Sequence, residues 1–546
     1  MAWKLRDYQL DCLKTIGDSY LQGVRRQLVS LPTGTGKTVV FASFPDFFKM
    51  RKRMLVLAHR EELLVQARDK ILRANQDLKV EIEQAARRAS PQSDVVVASI
   101  PTLGHGNAKR LRQFDPEEFY LLVVDEAHHS TAETYRRVLE YFGVFEAETR
   151  KLLVGFTATP KRGDGQGLDA VFEEIVFSRN LPEMIESGYL SPIAGYRVET
   201  EVDLSKVRKR MGDFVVRQLA EAVNVRARNR IIIEVHQKHL NGRPTLVFCV
   251  DVEHARDMAE SFADAGVPTG VITGQTPRNE RAATLEQFRS GAIEVVTNCM
   301  VLTEGFDEPS VAGIILARPT RSNLLYTQMI GRGTRLHPDK KDVLVIDIVD
   351  LTRDRQVATL SGLFGLSSDF DLQGRTVEQA QDALRWVESH CPWVRVDEAE
   401  SMEELRYSCT HIDLLGLEIP KELRGLSRFA WTAVGRRHYR LGLSANEFLT
   451  ASGTILDRWE VALHQGRQAR PMGTFSDLRD AIGKADAFVE SRRPENIRLV
   501  SRSTPWRRAP ASPKQIELLH KSGLHIPPGI TKGQASHMIS MLLGRR

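Results

Sequence analysis

The chain reads as an α/β protein with two parallel-sheet domains in tandem, followed by a mixed α+β C-terminal region. Three observations predict this. Between residues 1 and 190, short apolar runs alternate with helical segments. Apolar strands joined through helices imply a parallel sheet covered on both faces. The same alternation restarts near residue 233 and ends near 352. After Asp350 it gives way to helical stretches and two hairpin-like arms.

Within the first domain, 1–190, strand candidates lie at 28–31, 54–58, 95–99, 121–125 and 152–156. Residues 191–232 are charged, less periodic, and read as a connector. The second domain, 233–352, offers strands at 246–250, 267–272, 293–298, 311–317 and 343–348. Two similar domains in tandem make a natural cleft. The accessory region, 353–497, is expected to be helical over 356–426 and again over 475–492. Between these lie two β-arms, 431–443 and 448–463, with Gly435 and Gly453 near the bends. A Pro/Ser/Arg linker, 498–511, leads to a small helical tail, 512–546. There Ser512, Pro513 and Gln515 form a capping box with a first-turn proline, Gly523 is a stop signal, and Thr531 with Gln534 repeats the box.

Composition narrows the function classes. Hydrophobic residues make up 42% and charged residues 27% of the 546, as in ordinary globular proteins, which excludes disorder as the main state. No run of about 18 apolar residues occurs, so no membrane span is expected. Met1 to Tyr8 is charged and lacks the apolar stretch of a secretory signal. Five cysteines, at 12, 249, 299, 391 and 409, are too few and too scattered for a disulfide framework. They fit a reducing, cytoplasmic setting. The net charge of +6 is unevenly spread. From Arg492 onward eleven basic side chains face only Glu495 and Glu517, an excess of nine, which leaves the first 491 residues at −3. A basic tail suits a polyanion, although a solvated Arg-rich linker has the same composition.

The first chemical signal follows the strand at 28–31. Pro32-Thr33-Gly34-Thr35-Gly36-Lys37-Thr38 runs into an apolar helix. Glycines at 34 and 36 let the backbone curl so that its N–H groups face a polyphosphate. Lys37 would place a charge on the β/γ-phosphates, and Thr38 would offer a hydroxyl to Mg²⁺. The strict pattern has glycine where this chain has Leu31. The second signal is the apolar run 120–124, ending in Asp125-Glu126-Ala127-His128. Strand ends are where α/β sheets present chemistry. Asp125 would hold Mg²⁺, and Glu126 would orient and deprotonate the attacking water, since phosphoryl transfer depends on positioning and charge stabilisation.

With these two sites the chain resembles the superfamily 2 helicases over roughly residues 1–350. Leu5-Arg6-Asp7-Tyr8-Gln9 is similar to the upstream element whose glutamine reads adenine. Gly155-Phe156-Thr157-Ala158-Thr159-Pro160 is similar to the third motif, Val296 to Cys299 with Thr303-Glu304-Gly305-Phe306-Asp307 to the fifth, and Gln328 to Arg335 to the sixth. The DEAH, GFTATP and TEGFD strings look closest to the XPB/RadD-like duplex-DNA branch. The resemblance implies two RecA-like domains with ATP and Mg²⁺ between them. It implies Arg6, Gln9, Thr33, Gly34, Thr35, Gly36, Lys37, Thr38, Asp125, Gly305 and Asp307 at the nucleotide, Asp307 near the ribose. Thr38 and Asp125 would hold the metal. Glu126, Gln328, Arg332 and Arg335 would be catalytic. The two arginines, three residues apart, would reach the γ-phosphate from the second domain and make hydrolysis depend on closure.

The same resemblance implies a nucleic-acid track over both domains. His59 and Arg60 match motif Ia, Ser99 and Thr102 the next element, and Thr297 and Cys299 the second-domain counterpart. Lys161 and Arg162 are expected as backbone contacts. Short hydroxyl side chains touch phosphates and carry no base code, so binding should be sequence-independent and salt-sensitive. The expected activity is an ATP-dependent DNA helicase or translocase in repair or genome maintenance. The alternatives are an RNA helicase and a nucleotide-gated clamp with little hydrolysis. The C-terminal region leaves room for protein partners. His390-Cys391 and Cys409 with His411 lack familiar zinc spacing. Trp431, Tyr439 and Trp459 sit at alternating strand positions and read as core rather than base-stacking residues.

Overall fold

A computed structural model describes the chain apart from residues 1–3, 106–108, 159–166, 211, 304, 352–355, 391–393, 395, 397–398, 406–420, 424, 436, 445, 455–457, 467, 522–525, 527–528 and 545–546. Contacts divide it into two compact units, Met1–Val377 and Glu378–Arg546.

The first unit holds two parallel sheets, as the sequence predicts. In the first lobe the strands are β1 (Arg26–Ser30), β2 (Arg53–Ala58), β3 (Val80–Glu83), β4 (Val95–Ser99), β5 (Phe119–Asp125), β6 (Leu152–Thr157) and β7 (Glu174–Ser178). They lie in the order β3-β4-β2-β5-β6-β1-β7. All five residues of β4 and all six of β6 are buried, because helices cover both faces. The helices that matter below are α1 (Asp7–Leu21), α2 (Lys37–Ala42), α3 (Phe44–Phe47) and α4 (Glu61–Ala74). β3 and β7 are edge strands that the sequence reading misses.

Next come β8 (Ile193–Asp203) and a two-strand ribbon, β9 (Lys209–Arg210) and β10 (Asp213–Phe214). The second lobe continues with β11 (Thr245–Phe248), β12 (Thr269–Ile272), β13 (Val295–Asn298), β14 (Gly313–Leu316) and β15 (Val343–Leu351). Its order is β12-β13-β11-β14-β15-β8. The connector expected over 191–232 is therefore ordered in part as sheet: β8 pairs in parallel along β15. Beyond β15, Leu360 N donates to Asp347 Oδ2 at 3.0 Å and Arg197 N to Asp371 Oδ1 at 3.0 Å. Residues 359–377 thus pack on the second sheet rather than on the accessory region. A fully buried ion pair locks this lobe. Arg228 Nε and Nη2 reach the two oxygens of Asp350 at 2.7 and 2.9 Å. Arg228 Nη1 donates to the Ala317 carbonyl at 3.0 Å, and Thr200 donates to Asp350 at 2.5 Å.

The second unit is an antiparallel meander, β16 (Thr432–Gly435), β17 (His438–Gly442), β18 (Glu447–Gly453), β19 (Trp459–Gln465) and β20 (Gln468–Phe475). The two expected arms are its first four strands, and β20 is the strand the sequence hides. Pro471 breaks its pattern, which an edge strand tolerates. Helix Leu478–Arg492 packs Ala481, Ile482, Ala485 and Val489 into one core with Trp431, Tyr439 and Trp459. Trp431 Nε1 donates to Asp486 at 3.0 Å, and Tyr439 and Trp459 stack at 5.8 Å, as core residues. Both tail capping boxes form: Gln515 N donates to Ser512 Oγ and Gln534 N to Thr531 Oγ1, each at 3.3 Å. Gly523 and the Cys391, Cys409 and His411 group lie outside the described residues. Among the described residues no helix is long and apolar enough to cross a membrane, and no metal-ligating cluster occurs.

Candidate nucleotide cleft

The site is built from loops at the C-terminal ends of two sheets. After β1 the chain turns through Gly34 and Gly36, with φ of 89° and 80°. These left-handed values favour glycine and curl the loop ahead of α2. The curl is braced from below: Thr35 Oγ1 donates to Pro32 O at 2.7 Å, and Gln9 Nε2 donates to Thr35 O at 3.2 Å. β5 delivers Asp125 to the same place. The next residue, Glu126, has a φ of 52°, a strained value for a glutamate, of the kind that clusters at functional sites.

Lys37 and Glu126 face each other across this floor. Lys37 Nζ is buried without a hydrogen bond and lies 3.8 Å from Glu126 Oε1. Glu126 Oε2 is likewise buried without one, 3.4 Å from His128 Nδ1. Burial, reinforced by the adjacent Glu126, pushes Asp125 up to about 6, against the pull of Lys37. A buried carboxylate raised by desolvation lacks sufficient counter-charge. These polar ends suit a polyanion together with a cation.

The second lobe supplies the opposite wall. The loop after helix Asn323–Ile330 brings Arg332 and Arg335 to the cleft. Arg332 Nη1 and Arg335 Nη2 both donate to the Phe306 carbonyl, at 2.7 and 3.0 Å. Arg335 Nε also pairs with Asp307 Oδ1 at 2.7 Å, and Lys70 approaches the other oxygen at 3.5 Å. Burial would raise Asp307, but Arg335 and Lys70 outweigh it and hold its carboxyl below the usual range. The lobes meet closely. A Cβ on Gly331 would lie 2.7 Å from the Thr33 Cβ, and one on Gly34 would lie 3.2 Å from Thr334 Oγ1. Lys340 Nζ ties the arginine loop down through the carbonyls of Gly333, Pro309 and Val311 at 2.8, 2.9 and 3.0 Å.

One cavity of about 240 Å³ results. Of the nucleotide residues expected from sequence, Arg6, Thr33, Gly34, Gly36, Lys37, Thr38, Asp125, Glu126, Gly305, Asp307, Arg332 and Arg335 line it. Gln9 and Thr35 lie beneath the loop, engaged as described. Gln328, expected to be catalytic, is buried in its helix, 4% exposed, and does not line the cavity. Gln66, Lys70 and Tyr189 line the cavity and were missed. The spacing of Gln66 and Lys70 on α4 carries no motif. Tyr189 packs its ring against Tyr8 at 4.6 Å, and its carbonyl accepts from Arg6 Nη1 at 3.2 Å.

The expected nucleic-acid residues fare unevenly. His59 packs its ring against His129 at 4.5 Å, beside the Asp125–His128 loop. Arg60 Nη1 crosses to the second lobe, donating to Met300 O at 3.2 Å. Thr102 accepts from Ala85 N at 3.2 Å, and Ser99 is buried at the end of β4. Thr297 is wholly buried, and its hydroxyl donates to Ala255 O at 2.7 Å. As a central parallel strand, β13 is covered on both faces. Cys299 is half-buried, 3.4 Å from the Val250 carbonyl, and burial pushes its thiol up. Both side chains are thus turned to carbonyls of the second lobe. Lys161 and Arg162 lie outside the described residues.

Known proteins align with this geometry. Residues 2–162 match the family "Type III restriction enzyme, res subunit", and residues 227–337 match "Helicase conserved C-terminal domain". Residues 389–546 match "Mitochondrial helicase Irc3, C-terminal domain". The Schizosaccharomyces pombe protein "Putative mitochondrial ATP-dependent helicase irc3" is 31% identical over 99% of this chain and 91% of its own length. The Saccharomyces cerevisiae protein "Putative ATP-dependent helicase IRC3" is 37% identical over 68% of this chain, an alignment spanning about half, 55%, of that relative. Among solved structures, the fragment of a "putative HsdR subunit of a type I restriction enzyme" from Vibrio vulnificus YJ016 superposes with a TM-score of 0.50 at 25% identity, covering 63% of this chain and 64% of that one.

Proposed function

The chain belongs to the Irc3 family of superfamily 2 ATP-dependent helicases, and from that premise we propose that it is a DNA-directed motor of the DEAH, XPB-like kind that works by closing its two lobes on ATP. One observation carries the reading. Arg332 and Arg335 of the second lobe line the same cavity as Lys37, Thr38, Asp125 and Glu126 of the first. Hydrolysis then requires both lobes, so it can be coupled to their movement on a polynucleotide.

The roles follow from position. Lys37 and the curled backbone at Gly34–Gly36 bind the phosphates. Glu126 orients water and takes its proton. Arg332 and Arg335 exchange the Phe306 carbonyl for phosphate oxygens when ATP enters. Arg6 and Tyr189 line the same cavity. Mg²⁺ would be held by Asp125 and Thr38, where it would offset phosphate charge. That assignment rests on the under-compensated carboxylate at 125 and the hydroxyl that opens α2. On the nucleic-acid side, His59, Thr102, Lys161 and Arg162 remain as backbone contacts.

DNA is favoured over RNA by the XPB-like motif strings, with a role in genome maintenance. The name of the Schizosaccharomyces pombe relative describes that protein as mitochondrial. The free thiols of Cys12, Cys249 and Cys299 fit any reducing compartment, the cytoplasm among them. ATPase assays with duplex DNA, single-stranded DNA and RNA test the proposal. Stimulation by DNA, falling steeply with salt, is expected. Stimulation by RNA alone would make it an RNA helicase, and turnover indifferent to every polynucleotide would make it a clamp.

A further inference from the structure

The first lobe carries a second concavity at the end of its sheet opposite the nucleotide. The phosphate loop and Asp125 lie at the C-terminal ends of β1 and β5. This cavity opens at the N-terminal ends of β2, β5 and β6, where residues 49–52, Tyr120, Leu121 and Leu152 form its floor. The last turns of α1 and the end of α3 form its walls. It encloses about 800 Å³, in the range of built ligand pockets.

Its chemistry is two-part. The interior is apolar and aromatic. Tyr20 and Tyr120 meet at 6.3 Å, and Phe47 and Phe48 at 5.1 Å. The tyrosine hydroxyls are bonded to each other, and Tyr20 donates to Arg150 O at 2.9 Å, so the interior has few polar groups left to offer. At the mouth Leu21 is 82% exposed and Phe47 36%, a cost in water that a covering partner would remove. The rim is cationic. Lys14, Lys49, Arg51 and Lys52 face one lining carboxylate, Asp18. Lys49 is paired with Asp46 at 2.6 Å, and Lys52 donates to a carbonyl, Glu117 O, at 3.1 Å. Lys14 and Arg51 are exposed, and no ion pair to either is seen among the described residues. An apolar socket ringed by surplus positive charge complements a chain segment that carries leucine or phenylalanine anchors among carboxylates.

We propose that this socket is the docking site for an acidic, amphipathic segment of a partner protein, bound on the side of the motor away from ATP. Leu21 and Phe47 grip the apolar anchors, and Lys14 and Arg51 receive the carboxylates. Because the socket shares no residue with the nucleotide cleft, a partner can be held there throughout the ATP cycle.

The test uses the full-length chain and a fluorescein-labelled 18-residue helical peptide with leucine and phenylalanine on one face and glutamate on the other. Controls are the same peptide with lysine for glutamate and a scrambled sequence. Anisotropy titration should show the glutamate helix binding at least tenfold tighter than either control. Leu21→Asp and Arg51→Glu, both at exposed positions, should each weaken it tenfold or more while basal ATPase stays at the wild-type rate. Equal binding of all three peptides, or no loss in either variant, overturns the proposal. Self-association that Leu21→Asp abolishes overturns the choice of partner in favour of a second copy.

Discussion

Lys37 Nζ stands 3.8 Å from Glu126 Oε1, and neither group completes a hydrogen bond across that gap. Both line the same cavity, and the carboxylate stands on left-handed backbone, with a φ of 52°. Replacing Glu126 with glutamine keeps the shape and removes the carboxylate proposed as the base. Glu126→Gln is expected to bind ATP as wild type does and to lose turnover by about 10²–10⁴-fold. Equilibrium nucleotide binding and single-turnover hydrolysis check it, and normal hydrolysis would show that the base lies elsewhere.

Arg335 makes a forked contact, to Phe306 O and to Asp307. Lysine keeps the charge but not the fork. Arg335→Lys should therefore fall most of the way to Arg335→Ala in kcat, with both losing on the order of 10³-fold or more. Steady-state kinetics decide this, and a lysine variant close to wild type would reduce the role of Arg335 to its charge.

Gly331 sits where a methyl group would press to within 2.7 Å of the Thr33 Cβ. Gly331→Ala props the lobes apart without touching a charged group. ATP binding to the first lobe should persist while polynucleotide-stimulated turnover falls at least tenfold. Comparing nucleotide affinity with kcat in the same preparation separates the two effects.

Asp125 is raised to about 6 in the folded protein, above roughly 4 for an unfolded aspartate. Between these values the folded state binds the extra proton, so nucleotide-free stability falls as pH rises from about 4 through 6. Asp125→Asn lacks this dependence. It should melt near wild type at pH 4 and above wild type at pH 8, while losing hydrolysis. Thermal melts of both proteins at pH 4, 6 and 8 test this, and parallel curves would contradict it.

Arg228 and Asp350 form a bidentate pair with no exposure on either side chain. Removing the cation strands a buried carboxylate. Arg228→Met should cost about 3–5 kcal/mol in the first unit, read as an early step in urea unfolding, whereas surface pairs such as Arg230–Glu234 should matter little.

How much of this was legible beforehand depends on burial. Central strands such as β4 and β5 are apolar on both faces and announce themselves. β8 escapes because it lies at the sheet edge, where Arg197, Glu199 and Glu201 alternate with Val198, Thr200 and Val202. β20 escapes because Pro471 suits only an edge. The phosphate loop and the Asp125–Glu126 pair are contiguous, so their chemistry shows in a few letters. Gln66 and Lys70 reach the cleft only because α4 packs there, and no local pattern encodes that. The burial of Thr297 was hidden for the converse reason: a hydroxyl in the string suggests an accessible side chain, but the covered sheet turns it to the Ala255 carbonyl.

β8 has a mechanical consequence. Since the chain joins the second sheet at Ile193, the swivel between lobes shrinks to the few residues after Glu186. Ser191 lies inside it, its N–H donating to Thr334 O at 2.7 Å and its hydroxyl to Arg335 O at 2.9 Å. The pivot and the backbone of Arg335 are fastened together, so a rotation between the lobes would be felt at the arginine proposed to meet the phosphate.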